Sequence, residues 1–336
     1  MPELAVIPGD GIGREVVPAA VEVLRAVIPG LETVEADAGW DCFQRTGTSV
    51  PQETLETIRA CGAGLFGAVS SPSRKVEGYQ SAVLTLRQEL DLYSNIRPVR
   101  SLPVISPRDG VNMIIVRENT EGLYSRIERI ENNRAVAERV ITRQASTRIA
   151  IRAVSLAAQL GRRKLTIVHK ANVLPVSDGL FRDCVLDVAR TAIEAGQDLE
   201  VDELLVDVAA LKMVAEPERF DVVVTTNLFG DILSDAASYW GGGLGTAPSL
   251  NWGEKYAVAE PVHGSAPDIA GQGIANPIAA VLSGAMLARF VWADADAADR
   301  IEGAVEMLLR EENYAVELAS STSAIRDRLL ALLVTE

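Results

Sequence analysis

At 336 residues the chain is long enough for about two domains, and 48% hydrophobic against 23% charged residues is an ordinary globular balance with material for a core. A net charge of −14 argues against nucleic-acid binding and requires any anionic substrate to be met by local arginines or a metal. No apolar run approaches the ~20 residues that span a bilayer, no basic leader precedes the first strand, and Cys42, Cys61 and Cys184 are few and scattered, so a reduced, cytoplasmic setting is expected.

Leu4-Ala-Val-Ile7 predicts a strand and Pro8-Gly-Asp-Gly-Ile-Gly13 a tight turn, followed by an amphipathic helix from Arg14 to Ile28. The three glycines invite a dinucleotide fingerprint, but its last glycine would have to stand where Arg14 does, and Asp10 would face the pyrophosphate. Gly64–Ala68 predicts a strand, the stretch from Val69 to Tyr79 a polar loop, and Ser81–Tyr93 a helix. Arg97 to Gly110, with three prolines, predicts a crossing between domains. Val111–Val116 is a buried strand delivering Arg117-Glu-Asn-Thr-Glu-Gly-Leu-Tyr124, and Ser125–Thr142 an exposed arm.

Further on, Ser146–Leu160 predicts a helix, Leu165–Val168 a strand ending in His169-Lys170-Ala-Asn172, and Phe181–Ala195 a helix. Leu204–Val206 is a strand with Asp207 at its end. Asp221-Val-Val-Val then opens a buried strand, Asn227 and Gly230 mark a turn, and Asp231-Ile-Leu-Ser-Asp235 begins a helix. The Gly241–Gly245 loop returns to the first domain, and Asn276-Pro277 starts an apolar helix running to Phe290. This alternation predicts an α/β fold in which residues 1–98 and 242–336 form a large domain and 99–241 an inserted small one.

Asp231 and Asp235, four apart on a helix, share a face, and their mutual repulsion calls for a cation. Oxygen donors without cysteine or histidine suit Mg²⁺ or Mn²⁺. The plain alternative is a helix cap at Asp231 with Asp235 solvated. Arg87, Arg97 and Arg117 end predicted elements and suit bidentate carboxylate binding, or are merely solvated. Lys170 is a candidate base, Tyr124 a candidate acid and Asp207 a possible third carboxylate. Both histidines fall inside these motifs, which leaves none for a hydrolase triad, and no Gly-x-Ser-x-Gly or phosphate loop is present.

Together the motifs resemble the β-decarboxylating dehydrogenases of 2-hydroxy acids, the isocitrate, 3-isopropylmalate and homoisocitrate dehydrogenases. They are Ile7–Gly13, Leu86-Arg87, Asn95-Ile-Arg97-Pro98, Val116–Tyr124, His169-Lys170-Ala-Asn172-Val, Asn227-Leu-Phe-Gly-Asp231-Ile-Leu-Ser-Asp235 and His263-Gly-Ser-Ala-Pro-Asp268-Ile-Ala-Gly, spread over nearly the whole chain. The resemblance implies a two-domain α/β/α sandwich with a mixed sheet, not a Rossmann fold. It implies that Arg87, Arg97 and Arg117 hold the acid, that Asp231, Asp235 and a partner's Asp207 bind the metal, and that Lys170, also from the partner, takes the hydroxyl proton. Tyr124 would protonate the enol carbon, and Asn172 would lie between substrate and nicotinamide. The implied cofactor loop contains His263, Gly264, Ser265, Ala266, Pro267, Asp268 and Asn276. Asp268 would accept from ribose hydroxyls and repel a 2′-phosphate, favouring NAD over NADP. A homodimer is the implied minimum, a tetramer possible.

Resemblance also ranks the substrates. Ser70-Ser-Pro-Ser-Arg-Lys-Val-Glu-Gly-Tyr79 looks like the homoisocitrate enzymes and some NAD-isocitrate ones, and Ser70 could bond an extra carboxylate. Leu84 instead matches the isopropylmalate pattern, and Val208-Ala-Ala-Leu departs from the family's usual run after Asp207. The order is homoisocitrate (giving 2-oxoadipate and CO₂ in lysine biosynthesis), isopropylmalate, then isocitrate. A silent regulatory subunit is the remote alternative, since such chains typically lack a metal carboxylate, the lysine or the tyrosine.

Overall fold

A computed structural model describes residues 1–74, 76–311, 314 and 321–334. In chain order it holds β1 (Glu3–Gly9), α1 (Gly13–Val27), β2 (Glu32–Glu35), α2 (Trp40–Thr46), α3 (Gln52–Cys61), β3 (Ala63–Ala68), α4 (Ala82–Glu89) and β4 (Ser94–Arg100). There follow β5 (Asn112–Glu118), β6 (Glu128–Glu131), β7 (Arg134–Ala137), α5 (Arg143–Gln159), β8 (Lys164–His169), α6 (Ser177–Glu194), β9 (Glu200–Leu205) and α7 (Val206–Ala215). The remainder is β10 (Val222–Thr225), α8 (Asn227–Ser238), β11 (Pro248–Trp252), β12 (Ala257–Pro261), α9 (Ile278–Met286), α10 (Ala295–Leu309) and α11 (Thr322–Val334). Among the described residues no helix is long and apolar enough to cross a membrane.

Two compact units emerge: residues 1–92, 102–107 and 241–336 form the first, and 93–101 with 108–240 the second. The expected division at residue 98 falls inside β4, whose seven residues pair antiparallel with β5 from Ser94↔Glu118 to Arg100↔Asn112. Backbone pairing therefore carries this stretch into the second unit, and only 102–107 return to the first.

In the first unit the strands run β2-β1-β3-β12-β11, parallel apart from β11 against β12. Leu4, Ala5, Val6 and Ile7 are all buried because both faces of β1 are covered. Ala5 and Ile7 meet Leu55, Ile58, Phe66 and Leu86 in one cluster, while α1, α9, α10 and α11 pack together as a separate helix group. The second unit orders its strands β4-β5-β10-β8-β9, again parallel except at β4. Val223 and Ile115 join Leu233, Ala209 and Met213 from α8 and α7, and α5 packs on α6. The expected arm is the hairpin β6–β7, with Ile130 83% exposed near its tip.

The Gly9–Gly13 turn is packed against protein. A Cβ on Gly9 would lie 2.1 Å from the Ala68 carbonyl oxygen and one on Gly11 2.1 Å from that of Ser265. Asp10, 1% exposed, accepts backbone N–H bonds from Trp40 (2.7 Å), Asp41 (3.0 Å) and Ser70 (2.8 Å). One carboxylate thus joins the turn to α2 and to the loop after β3. An Asp10→Asn variant turns an accepting oxygen into N–H₂ facing N–H donors. It should lose about 2 kcal/mol, read as a lower urea midpoint at unchanged slope.

Candidate active site

β10 is short and wholly buried, and Thr226 turns the chain into α8. The helix begins at Asn227, four residues before Asp231, so Asn227 and Gly230 are its first turn and not the separate turn expected. That start also removes the plain alternative for Asp231, which stands in the second turn and caps nothing.

Around the two carboxylates the second unit gathers Arg97, Arg117 and Tyr124. Asp231 accepts from Arg117 Nη1 and from the Tyr124 hydroxyl, and lies 3.3 Å from Arg97 Nη2. Arg97 Nη1 donates to Asp235 Oδ1 and to Ser234 Oγ, each at 2.7 Å, and its Nε is steadied by Asn95 Oδ1 at 2.7 Å. Arg117 is 1% exposed and held by Asn227 Oδ1 at 3.1 and 2.7 Å, while Asn227 donates to the Glu121 carbonyl at 3.0 Å. Gly230 makes room for it: a Cβ there would stand 2.6 Å from Arg117 Cγ.

Burial pushes the Asp235 carboxyl above its usual range; the Asp231 charge adds to this and Arg97 opposes it. Burial, then the bond to Asp231, raises the Tyr124 phenol, so it holds its proton at neutral pH. Two carboxylates on one helix face, with only oxygen donors at hand, fit a hard divalent cation.

Lys170 follows β8 in the same unit, and its Nζ bonds Asp207 Oδ1. That bond is the first cause lowering the Asp207 carboxyl. Asp207 sits in the first turn of α7 and not at the strand end expected for it, because β9 stops at Leu205. Among the described residues no three of Asp, Glu, His and Cys gather in a metal-holding group, so Asp207 is not assembled with Asp231 and Asp235 within the chain. Asn172 is exposed on the turn after Lys170.

Arg87 belongs to the first unit. Buried on α4, it donates to Asn251 Oδ1 (3.1 Å) and Glu260 Oε1 (3.2 Å), and Asn251 also donates to Glu260 at 2.8 Å. Leu84 is half-buried on the same helix. Ser70 Oγ donates to Ser265 Oγ at 2.8 Å, and Tyr79 reaches the Ser70 carbonyl at 3.3 Å. Lys75 in this loop lies outside the described residues.

The 263–276 loop is tied down along its length. Ile12 N–H reaches the Ser265 carbonyl at 2.9 Å, Gly271 N–H reaches Glu15 Oε1 at 2.6 Å, and Thr322 N–H reaches the Gly273 carbonyl at 2.8 Å. Asn276 accepts from Ile278 N–H at 3.0 Å and donates to the Tyr314 hydroxyl at 3.2 Å; it stands one residue before the helix N-cap, which is Pro277 and not Asn276 as expected. Ala266 takes a left-handed φ of 39° between Ser265 and Pro267, Gly264 leaves open space where a Cβ would be, and Asp268 is exposed. His263 Nδ1 lies 3.0 Å from the Gly264 carbonyl, while Nε2 is buried and makes no hydrogen bond among the described residues. Burial holds this imidazole below its usual pKa and so neutral. With Nδ1 donating, Nε2 is an acceptor fit for a cofactor N–H.

Sequence reasoning missed Glu260, Asn251, Asn227, Glu15 and Tyr314 as partners of these residues. The one local signal was Glu260, a charge closing the apolar run Ala257-Val-Ala.

The family described as isocitrate/isopropylmalate dehydrogenase matches residues 3–329. The chain is 54% identical over 306 residues to the isocitrate/homoisocitrate dehydrogenase of Thermus thermophilus, covering 91% of this chain and 90% of that one. It is 46% identical over 310 residues to the 3-isopropylmalate dehydrogenase of Methanothermobacter thermautotrophicus, covering 92% and 91%. The crystal structure of isocitrate dehydrogenase from Methylococcus capsulatus superposes with a TM-score of 0.92 at 39% identity over 99% of both chains. Mixed-sheet units bearing these motifs define a β-decarboxylating dehydrogenase. The chain belongs to the isocitrate/isopropylmalate dehydrogenase family.

Proposed function

We propose that the protein is an NAD-linked, Mg²⁺- or Mn²⁺-dependent enzyme that oxidatively decarboxylates homoisocitrate to 2-oxoadipate and CO₂, a step of lysine biosynthesis. Isopropylmalate and isocitrate are the ranked alternatives. The observation that carries the chemistry is the convergence of Arg97, Arg117 and Tyr124 on Asp231 and Asp235. The sequence of the Ser70–Tyr79 loop supports the choice of acid, as does the name homoisocitrate dehydrogenase borne by a Methanocaldococcus jannaschii relative 41% identical over 344 residues.

Arg87, Arg97 and Arg117 hold the substrate carboxylates as planar forks. Asp231 and Asp235 supply metal donors and Asp207 of a second copy completes them, in keeping with the separate Lys170–Asp207 pair in each chain. When bound, the divalent ion supplies positive charge against the 2-hydroxyl and the oxygen that gains charge on loss of CO₂, and the nicotinamide is the hydride acceptor. Lys170, from the second copy, accepts the hydroxyl proton, and Tyr124, protonated at neutral pH, returns one to carbon. Asn172 borders substrate and nicotinamide. His263 Nε2 accepts from the adenine amino group, and the exposed Asp268 accepts from the ribose. The arrangement needs at least a homodimer. A regulatory role is disfavoured because the metal carboxylates, Lys170 and Tyr124 are all retained.

NADH formation should be compared as kcat/KM on homoisocitrate, isopropylmalate, isocitrate and malate with NAD and Mn²⁺. Homoisocitrate should lead by about tenfold, the net worth of one hydrogen bond. Isopropylmalate ahead would overturn the choice of acid and keep the mechanism; no NADH from any acid would favour the regulatory reading. NADP in place of NAD should cost about a hundredfold through like-charge repulsion at Asp268.

A further inference from the structure

Lys170 leaves β8 on a turn whose backbone is fixed by one buried carboxylate. Asp178, 0% exposed in the first turn of α6, accepts the Lys170 peptide N–H at 2.6 Å through Oδ2. The Lys170 carbonyl in turn accepts from Val173 and Leu174, each at 2.9 Å. His169 secures the same turn, its Nδ1 accepting from Ala171 N–H at 3.1 Å and its Nε2 lying 3.2 Å from Glu203.

The other oxygen of Asp178 receives the guanidinium of Arg139, two residues beyond the end of the β6–β7 hairpin. Arg139 also donates to Ser177 Oγ at 3.3 Å and, through Nη2, to Thr226 Oγ1 at 2.9 Å; its Cζ sits 5.1 Å from the centre of the Phe229 ring. Thr226 stands at the head of α8, where a threonine oxygen ordinarily accepts a first-turn N–H. No such bond is made, and the hydroxyl receives Arg139. A buried ion pair is a poor way to add stability compared with apolar packing. Its value here lies in where its bonds lead.

We infer that Arg139 and Asp178 are positioning residues, fixing the Lys170 turn, which serves the second copy's site, and locking it to the head of the helix that carries Asp231 and Asp235 of the chain's own site. The inference rests on the assignment of Lys170 as proton acceptor. A base displaced by about 1 Å can lose a hundredfold in rate while ground-state binding persists.

Asp178→Ala leaves a half-buried Arg139 without its carboxylate, which puts folding itself at risk, so Arg139→Lys and Thr226→Val carry the test. Arg139→Lys keeps the charge but loses the fork; Thr226→Val removes only the link to α8. With folding checked by circular dichroism, each should lower kcat by about tenfold or more, with KM for acid and NAD held within about threefold. Unchanged kcat per folded molecule, with only a lower Tm, would overturn the inference. Lys170→Met separates the two ideas. If it turns over normally, the base assignment and the inference fall together; if it is dead while both positioning variants run at full rate, only the inference falls.

Discussion

Asp231→Asn should abolish turnover, by at least about a thousandfold, while the protein still folds. The fall is the size expected when a group that organises charge at the reacting centre is lost. Asp231 is where three cationic or hydroxylic side chains meet, since Arg117 and Tyr124 bond it directly and Arg97 lies 3.3 Å away. Asparagine keeps the shape and one acceptor oxygen, and Asn227 still holds Arg117. The stability loss should therefore stay within about 1.5–3 kcal/mol, as for a hydrogen bond to a charged group. Turnover under saturating Mn²⁺ and metal titration by calorimetry check the two halves. A variant that kept full activity would place the metal elsewhere.

Gly11→Ala should be among the most damaging single-methyl changes in the first unit, alongside Gly9→Ala. Gly11 has φ +55°, a left-handed value that costs an L-residue about 1–2 kcal/mol. The added Cβ would also stand 2.1 Å from the Ser265 carbonyl oxygen, which is backbone and cannot rotate away. Relieving such overpacking costs about another 1–3 kcal/mol, and it must push Ser265 and the loop behind it. The denaturation midpoint should fall, and KM for NAD should rise more than KM for the acid. A normal KM for NAD in the folded variant would show that the 263–276 loop is not the cofactor's seat.

Strands such as Asp221-Val-Val-Val were legible because burial on both sides demands an unbroken apolar run, but β11, Pro248-Ser-Leu-Asn-Trp252, is nearly as buried and lacks such a run, so it went unread. That Asp231 and Asp235 stand on one helix was legible from their spacing. The start of α8 was not: Asn227 has the chemistry of a turn residue, and only the distant Arg117 and Glu121 show why its side chain is engaged inside a helix. Proline-rich composition likewise suggested a crossing at Arg97, but its pairing with β5 is set by a partner strand. The Arg87–Glu260 pair joins residues 173 apart, a distance no local pattern encodes. Asp207 was misplaced by a turn for a simpler reason, since Leu204-Leu-Val206 fits the end of a strand as well as the start of a helix.

The placement of β12 beside β3 has a consequence for how the chain is made. Ala63 pairs with Ala257, so β3 must wait for about 190 further residues to leave the ribosome before its neighbour exists. During that interval the apolar Ala-Gly-Leu-Phe-Gly-Ala strand has an open edge, the kind that recruits foreign strands. The inserted second unit is complete by residue 240, so it can finish folding while the first is still waiting. Nascent chains stalled before β12 should accordingly be the species that depends most on chaperones.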